Sequence, residues 1–320
     1  MRMIRTVIIL VVVLACLIVA YIYTKNLKPK ADPLADTGAV KTITVFKAGP
    51  DQISDITIAT DKGSVNLYKA GTVWAPKGME KILLNQSKVT SIFTTVMSLT
   101  VDAIVEEKVK DVTPFGFAKP FSTLTVRLKD GKEHIFLVGD RTPVRDSYYF
   151  MEKGLDKVYR LSLTSGEMFS STLDSLRDLS IAGQPTVDQI GYLSILKKNV
   201  NSLQLQFDAA KNIWNVTAPV AKSVETAAVT PVLDQIATFQ LQSFVAENVT
   251  NFTEYGLDSP SSVVEVKDKA GKGFKLFLGK EKDPGTLYAK LEGSNTVYTV
   301  DKTKISFQDT TPDSLVVPVQ

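Results

Sequence analysis

Tyr255-Gly-Leu-Asp-Ser-Pro260 nearly repeats Phe115-Gly-Phe-Ala-Lys-Pro120, which lies 140 residues upstream. Both stretches place a Gly after an aromatic residue and a Pro four residues after the Gly, and both lead into an alternating run. Gly reaches positive φ, which a sharp turn often needs, and Pro suits the first residue of a strand. The joint therefore predicts one turn-then-strand device used twice.

Downstream, Ser122-Thr-Leu-Thr-Val-Arg-Leu128 and Ser262-Val-Val-Glu-Val266 alternate apolar and polar residues, as half-buried strands do. Asp130-Gly131 and Ala270-Gly271 predict hairpin turns, and Gly139 and Gly279 close the returning strands at the same offset. Tyr149 and Tyr288, then Val158-Tyr159 and Val297-Tyr298, follow at an offset of 139. Upstream, Ser87 predicts an N-cap for a helix over 88–99 with Val89, Ile92, Phe93, Val96 and Leu99 on one face. Its echo has Thr226 or Thr230 as cap, Pro231 in the first turn, and Val232, Leu233, Ile236 and Phe239 as the stripe. Strands ending at Trp74 and Trp214 precede the helices, and Asp51-Gln-Ile53 is echoed by Asp188-Gln-Ile190 at an offset of 137. A three-residue insertion in the second hairpin accounts for the change of offset.

The fold class read from this pattern is α+β. Two tandem homologous units, 43–165 and 187–306, each run β-β-α-β-β-β-β-β as a mostly antiparallel sheet with one packed helix. The expected organisation is completed by a membrane anchor at 1–30, a linker at 31–42, a helical linker at 166–186 and a flexible tail at 307–320.

Residues 6–23 carry no charge and are almost all apolar, long enough for a single transmembrane helix. The apolar run is too long for a signal peptide and lacks a small-x-small site, so an uncleaved anchor is expected, with the body outside the cytoplasm. Cys16, the single cysteine, lies in this run, and lipidation there is disfavoured by bulky Leu14. The body can therefore hold no disulfide, Cys-based zinc site or Cys nucleophile. Residues 1–30 hold five basic side chains and no acidic one, leaving the body with 32 basic and 34 acidic residues. A body at −2 lacks the basic excess that nucleic-acid binding needs.

The Trp, the helix, the aromatic-Gly-x-x-x-Pro joint, Lys129-Asp-Gly-Lys132, Gly139-Asp140, Tyr148-Tyr149 and the Val-Tyr strand together resemble the bacterial DUF4340 family. The resemblance covers both halves and implies a domain carried behind one N-terminal membrane helix. It further implies an extracytoplasmic accessory role beside ABC-type transport auxiliary proteins of the gliding-motility kind. The chain departs from the family pattern at Gly279-Lys280, which lacks the Asp, and at Asp146-Ser147, which lacks the usual glycines.

Chemistry-bearing motifs are sparse. His134 is the single histidine and reads as an exposed strand residue, without the companions a zinc site or triad requires. No P-loop spacing occurs, and the run Glu106 to Asp111 reads as a solvated strand end. No catalytic, cofactor or metal residues are assigned. The candidate interaction surface is Arg141, Arg145, Tyr148 and Tyr149, types enriched at interfaces, although tyrosine rings covering the sheet would give the same pattern. The expected function is a non-catalytic, membrane-anchored accessory or scaffold protein with an envelope partner of ABC-transport type. A tethered receptor for a small molecule or envelope polymer, and a hydrolase using scattered Asp, Glu, Ser and His134, are the alternatives.

Overall fold

Residues 42–198 and 203–315 are described by a computed structural model of the chain. The anchor expected over 1–30, Cys16 and almost all of the expected linker lie outside the described residues. Among the described residues, no helix is long and apolar enough to cross a membrane.

In the first half the elements are β1 (Ile43–Lys47), β2 (Ile53–Thr60), β3 (Gly63–Ala70), β4 (Val73–Pro76), α1 (Gln86–Met97), β5 (Ser98–Val101) and β6 (Ala103–Glu106). Then follow β7 (Ser122–Leu128), β8 (Glu133–Arg141), β9 (Ser147–Glu152), β10 (Val158–Ser162) and the short helices α2 (Leu163–Met168) and α3 (Leu173–Leu176). The second half has β11 (Ile190–Lys197), β12 (Leu203–Asp208), β13 (Ile213–Ala218), β14 (Lys222–Val224), α4 (Thr226–Thr238) and β15 (Ser243–Ala246). It ends with β16 (Ser262–Asp268), β17 (Gly273–Asp283), β18 (Thr286–Leu291), β19 (Val297–Asp301) and 3-10 turns at Lys302–Asp309 and Pro312–Ser314.

The large sheets run β4-β3-β2-β7-β8-β9-β10-β6 and β14-β13-β12-β11-β16-β17-β18-β19-β15. The neighbouring strands pair antiparallel. Except for the additional edge strand β14, each strand of the first sheet has a counterpart in the second. Four strands precede α1, and three of them, not two, belong to the large sheet, because a turn at Gly71 (φ 67°) separates β3 from the strand carrying Trp74. Mostly antiparallel sheets with a few helices are thus what the alternating runs and turn residues produce.

The joint is explained by packing. Gly116 and Gly256 are left-handed, at φ 79° and 67°, and close 3-10 turns at Thr113–Phe115 and Thr253–Tyr255. A Cβ on Gly139 would collide with the Phe115 carbonyl oxygen, and one on Gly279 with that of Tyr255. The aromatic-Gly pair and the distant strand Gly therefore form a single contact, made twice.

The apolar stripe of α1 is buried through Val89, Ile92, Phe93 and Val96. Its N-cap is Asn85, whose Oδ1 accepts from the Lys88 N–H at 3.0 Å, and not Ser87. The helix starts two residues earlier, and Gln86 is recruited to the sheet: its carboxamide accepts from Trp74 N–H (2.7 Å) and donates to Trp74 C=O (3.1 Å). That amide occupies the edge of β4, as β14 occupies the edge of β13 by pairing Val224 with Trp214. In α4 neither Thr226 nor Thr230 caps, since Glu225 holds the cap position. Pro231 lies inside the helix, where it is accommodated because it and Ala227, whose carbonyl loses its donor, are both exposed. Trp214 is buried, whereas Trp74 is half-buried and stacks on Phe93 at 3.8 Å.

Both halves end alike. Thr172-Leu-Asp-Ser-Leu176 and Thr311-Pro-Asp-Ser-Leu315 form reciprocal capping boxes, each with its Leu buried. Lys88 Nζ donates to Ser175 C=O in one and Lys222 Nζ to Pro312 C=O in the other, at 3.0 and 2.6 Å. Phe307 and Leu315 belong to the second core, so the flexible tail expected from 307 is corrected as far as 315: apolar burial holds it in place. From Thr44 onward the chain is one compact unit, and Arg177 bridges the connector and the β15 edge of the second sheet. Its guanidinium lies 3.8 Å from the Phe244 ring centroid and pairs with Asp174 (3.0 Å) and Glu247 (3.2 Å).

Candidate functional site

Strands β8 and β9 pair Arg141 opposite Tyr148, with Thr142 to Asp146 turning between them. Thr142 Oγ1 donates to Asp146 Oδ1 at 3.0 Å and Ser147 Oγ to the same oxygen at 2.6 Å, which tightens the turn. Those two hydroxyls, Ser147 first, hold the Asp146 carboxyl below the usual range. Arg141, Arg145 and Tyr148 line one open depression of about 620 Å³ together with Phe121, Asp140 and Glu167. Tyr149 does not join them. As the next residue along β9 it faces the other side of the sheet, where its ring meets Phe115 edge-on at 5.0 Å.

Tyr148 is not the surface residue expected from sequence, being only 2% exposed. Phe121 stacks over its ring, centroids 5.2 Å apart and planes 12° apart, while Gly166 backs it so closely that a Cβ there would enter the ring. The hydroxyl alone reaches the rim. It accepts from Arg141 Nε at 3.0 Å and donates to Glu167 Oε1 at 2.8 Å, and Arg141 Nη2 also pairs with Glu167. Burial pushes the Tyr148 hydroxyl up, opposed by the Arg141 hydrogen bond, and the bond to Tyr148, then that to Glu167, raises Arg141. Tyrosine stays a neutral donor and arginine a cation at neutral pH, so the cluster is suited to recognition.

A second open depression, about 610 Å³, adjoins the first through shared Phe121 and Glu167. It is lined by Lys62, Lys88, Ile92, Met168 and Ser171 among others. Together they make a trough along the first half, with Phe121, 43% exposed, at its middle.

The second half serves as an internal control. By strand register, Phe121, Arg141, Tyr148, Gly166 and Glu167 correspond to Ser261, Glu281, Leu287, Ile305 and Ser306. The same fold is built there without the aromatic platform or the Arg-Tyr-Glu cluster, with Leu287 and Ile305 filling the space of Tyr148 and Gly166. The turn differs too: Arg145 takes φ 61° where Gly285, at φ 84°, turns the second hairpin. A left-handed non-glycine residue costs roughly 1–2 kcal/mol. Folding alone thus favours glycine at that position.

Phe121 and Glu167 were not singled out from sequence. The contrast of Phe121 with Ser261, one residue after the shared Pro, was the available signal. Glu167 had none, because its partners lie 19 and 26 residues away. His134 is half-buried, not exposed, because Phe46 of β1 covers it, rings 4.8 Å apart, and its Nδ1 lies 2.8 Å from Glu152. Glu107 pairs with Lys157 at 2.6 Å and Asp111 caps Thr113 at 2.9 Å. Among the described residues, no group of three or more His, Cys, Asp or Glu side chains is placed to hold a metal ion.

No curated protein and no solved structure was found to match the chain. Residues 74–212 and 214–318 match the family described as Domain of unknown function (DUF4340), each segment starting at or beside a Trp-bearing strand, and the chain belongs to that family.

Proposed function

We propose that this is a membrane-anchored, extracytoplasmic accessory protein that docks onto another envelope component without catalysis of its own. The transport setting implied by the family resemblance makes an ABC-type complex the proposed partner. The observation that carries this reading is the divergence of two equivalent surfaces. One half keeps an exposed Phe121 over a buried Tyr148, an Arg141–Glu167 pair and a strained Arg145, and the other builds the fold without any of them. Aromatic and arginine anchors beside a polar rim are how binding energy is concentrated at protein interfaces. The apolar segment at 6–23 supports the anchored part of the proposal.

A photo-crosslinkable residue at position 121, in cells, tests the reading. One discrete envelope protein should be captured there, and far less of it from the equivalent position 261. Equal capture at both positions, or none at either, would remove the proposal. Protease added to intact spheroplasts should digest the body, whereas complete protection until lysis would place it inside.

A further inference from the structure

The trough indicates the chemistry of what it holds. Its acidic residue nearest the aromatic platform, Glu167, is already taken by Arg141 and Tyr148. Its cations are not: Lys62 and Arg145 make no ion pair among the described residues, and Lys88 donates to a backbone carbonyl only. Against these three stand two unpaired carboxylates, Asp61 and Asp140, so the residual charge is positive on a body that is net acidic. The shape is an open, elongated trough with one exposed ring at its centre. Small molecules are held instead in pockets that bury most of their surface. An extended chain suits it, with an apolar side chain against Phe121 and carboxylates reaching Arg145 at one end and Lys62 and Lys88 at the other.

We infer that this trough is the docking site for an extended, acidic segment of a partner polypeptide carrying an aromatic or aliphatic anchor. The inference rests on the accessory reading above and specifies its partner. Strain at Arg145 fits it, since a left-handed backbone aims that guanidinium from a fixed turn whose Arg145 N–H is bonded to Thr142 C=O at 2.8 Å. Charge-assisted bonds from arginine to carboxylate are about twice as strong as neutral ones.

Fluorescence anisotropy on the purified full chain tests it, using a labelled peptide of about ten residues, roughly 33 Å extended, with Glu and Phe separated by Ser. The counterpart with Lys for Glu should bind at least about tenfold more weakly, a difference of ~1.4 kcal/mol. Phe121→Ser and Arg145→Gly bring in residue types the second half uses in its own joint and turn, so both should fold, Arg145→Gly with an equal or higher melting temperature and Phe121→Ser with a modestly lower one for the lost stacking on Tyr148. Each should weaken the acidic peptide by roughly tenfold, while Lys269→Glu on the second half leaves it unchanged. Equal affinity for both peptides, or wild-type affinity in both trough variants, would overturn the inference. So would phosphatidylglycerol vesicles or inorganic phosphate displacing the peptide through the same residues, which would make the site a phosphate or lipid site. If the peptides fail while an envelope protein still crosslinks at position 121, the acidic assignment falls and the accessory reading stands. Failure of both removes both.

Discussion

Exchanging Tyr148 and Gly166 for their counterparts tests whether the halves are alternative solutions to one packing problem. In the first half the Tyr148 ring occupies the volume that any side chain at 166 would need. In the second, Leu287 and Ile305 share it, 7% and 0% exposed. Gly166→Ile alone forces the ring out of place, an overpacking cost of about 1–3 kcal/mol, toward the upper end because the contact is with a ring held by Phe121. Tyr148→Leu alone leaves a cavity and strips Arg141 and Glu167 of the hydroxyl, about 2–4 kcal/mol from lost packing and a hydrogen bond. Together the substitutions recreate the arrangement of the second half. The double variant should therefore be less destabilised than the sum of the two single variants, by a coupling of about 2–3 kcal/mol. Urea unfolding of all four proteins at constant slope measures it, and each single variant should melt lower by about 2–4 °C per kcal/mol. Additive destabilisation in the double variant would refute the argument, because it would mean that the two positions do not share a volume.

Gln86→Ala unplugs the edge of β4, leaving Trp74 N–H and C=O without their partner, and should cost about 1–2 kcal/mol and increase concentration-dependent association by light scattering. Arg177→Ala removes a guanidinium that is only 12% exposed and stacked on Phe244, and should cost about 2–3 kcal/mol. Hydrogen exchange should speed up in β15 and not in β6, and unchanged protection in β15 would exclude the bridging role. Acid should weaken the fold through carboxylates whose hydrogen bonds depress them in the native state: Asp146 by Ser147 and Thr142, Asp301 by Thr303, Glu281 by the Gly285 N–H. Depressed native values mean that this stability is fully present above the unfolded range near pH ~4 and is lost as pH falls through the lower native values. A melting temperature that holds or rises between pH ~5 and ~2.5 would contradict that sign.

Most of the fold was legible because its signals are local and occur twice. Asp130-Gly131 is a hairpin turn from its own residues, and the alternation of Leu124 and Val126 shows which face is buried. What escaped the sequence reading depended on contacts between distant residues. Gln86 reads as an ordinary helix residue, and only the nearness of Trp74 turns its amide into a substitute strand. Thr172 to Leu176 and Thr311 to Leu315 are short, and their shared capping box is worth little without the core that receives each Leu. The candidate site was half legible for the same reason. Arg141, Arg145 and Tyr148 of the β8–β9 hairpin lie together, whereas strand alternation sends Tyr149 to the opposite face. Phe121 and Glu167 come from elements that only the tertiary fold brings beside it.

The duplication also bears on why the Arg141–Tyr148–Glu167 cluster stands in the first half. Ile181 is buried in the second core and Leu179 packs against it, and the Leu241 N–H bonds to the Leu179 carbonyl at 3.2 Å. Gln184 Nε2 donates to the carbonyls of Ile236 and Phe239 at 2.6 and 2.8 Å, tying the connector to the end of α4. The second half is thus completed by residues from the connector, and its Leu287–Ile305 packing sits against the terminal turn that closes its own core. Replacing Ile305 by glycine there would open a cavity in the main apolar cluster of that half, at about 2–5 kcal/mol. At the equivalent place in the first half the neighbour of Gly166 is the rim of the trough, where the Tyr148 hydroxyl meets Arg141 and Glu167. The polar cluster is tolerated at that position because its charged members, 44% and 48% exposed, keep their contact with water.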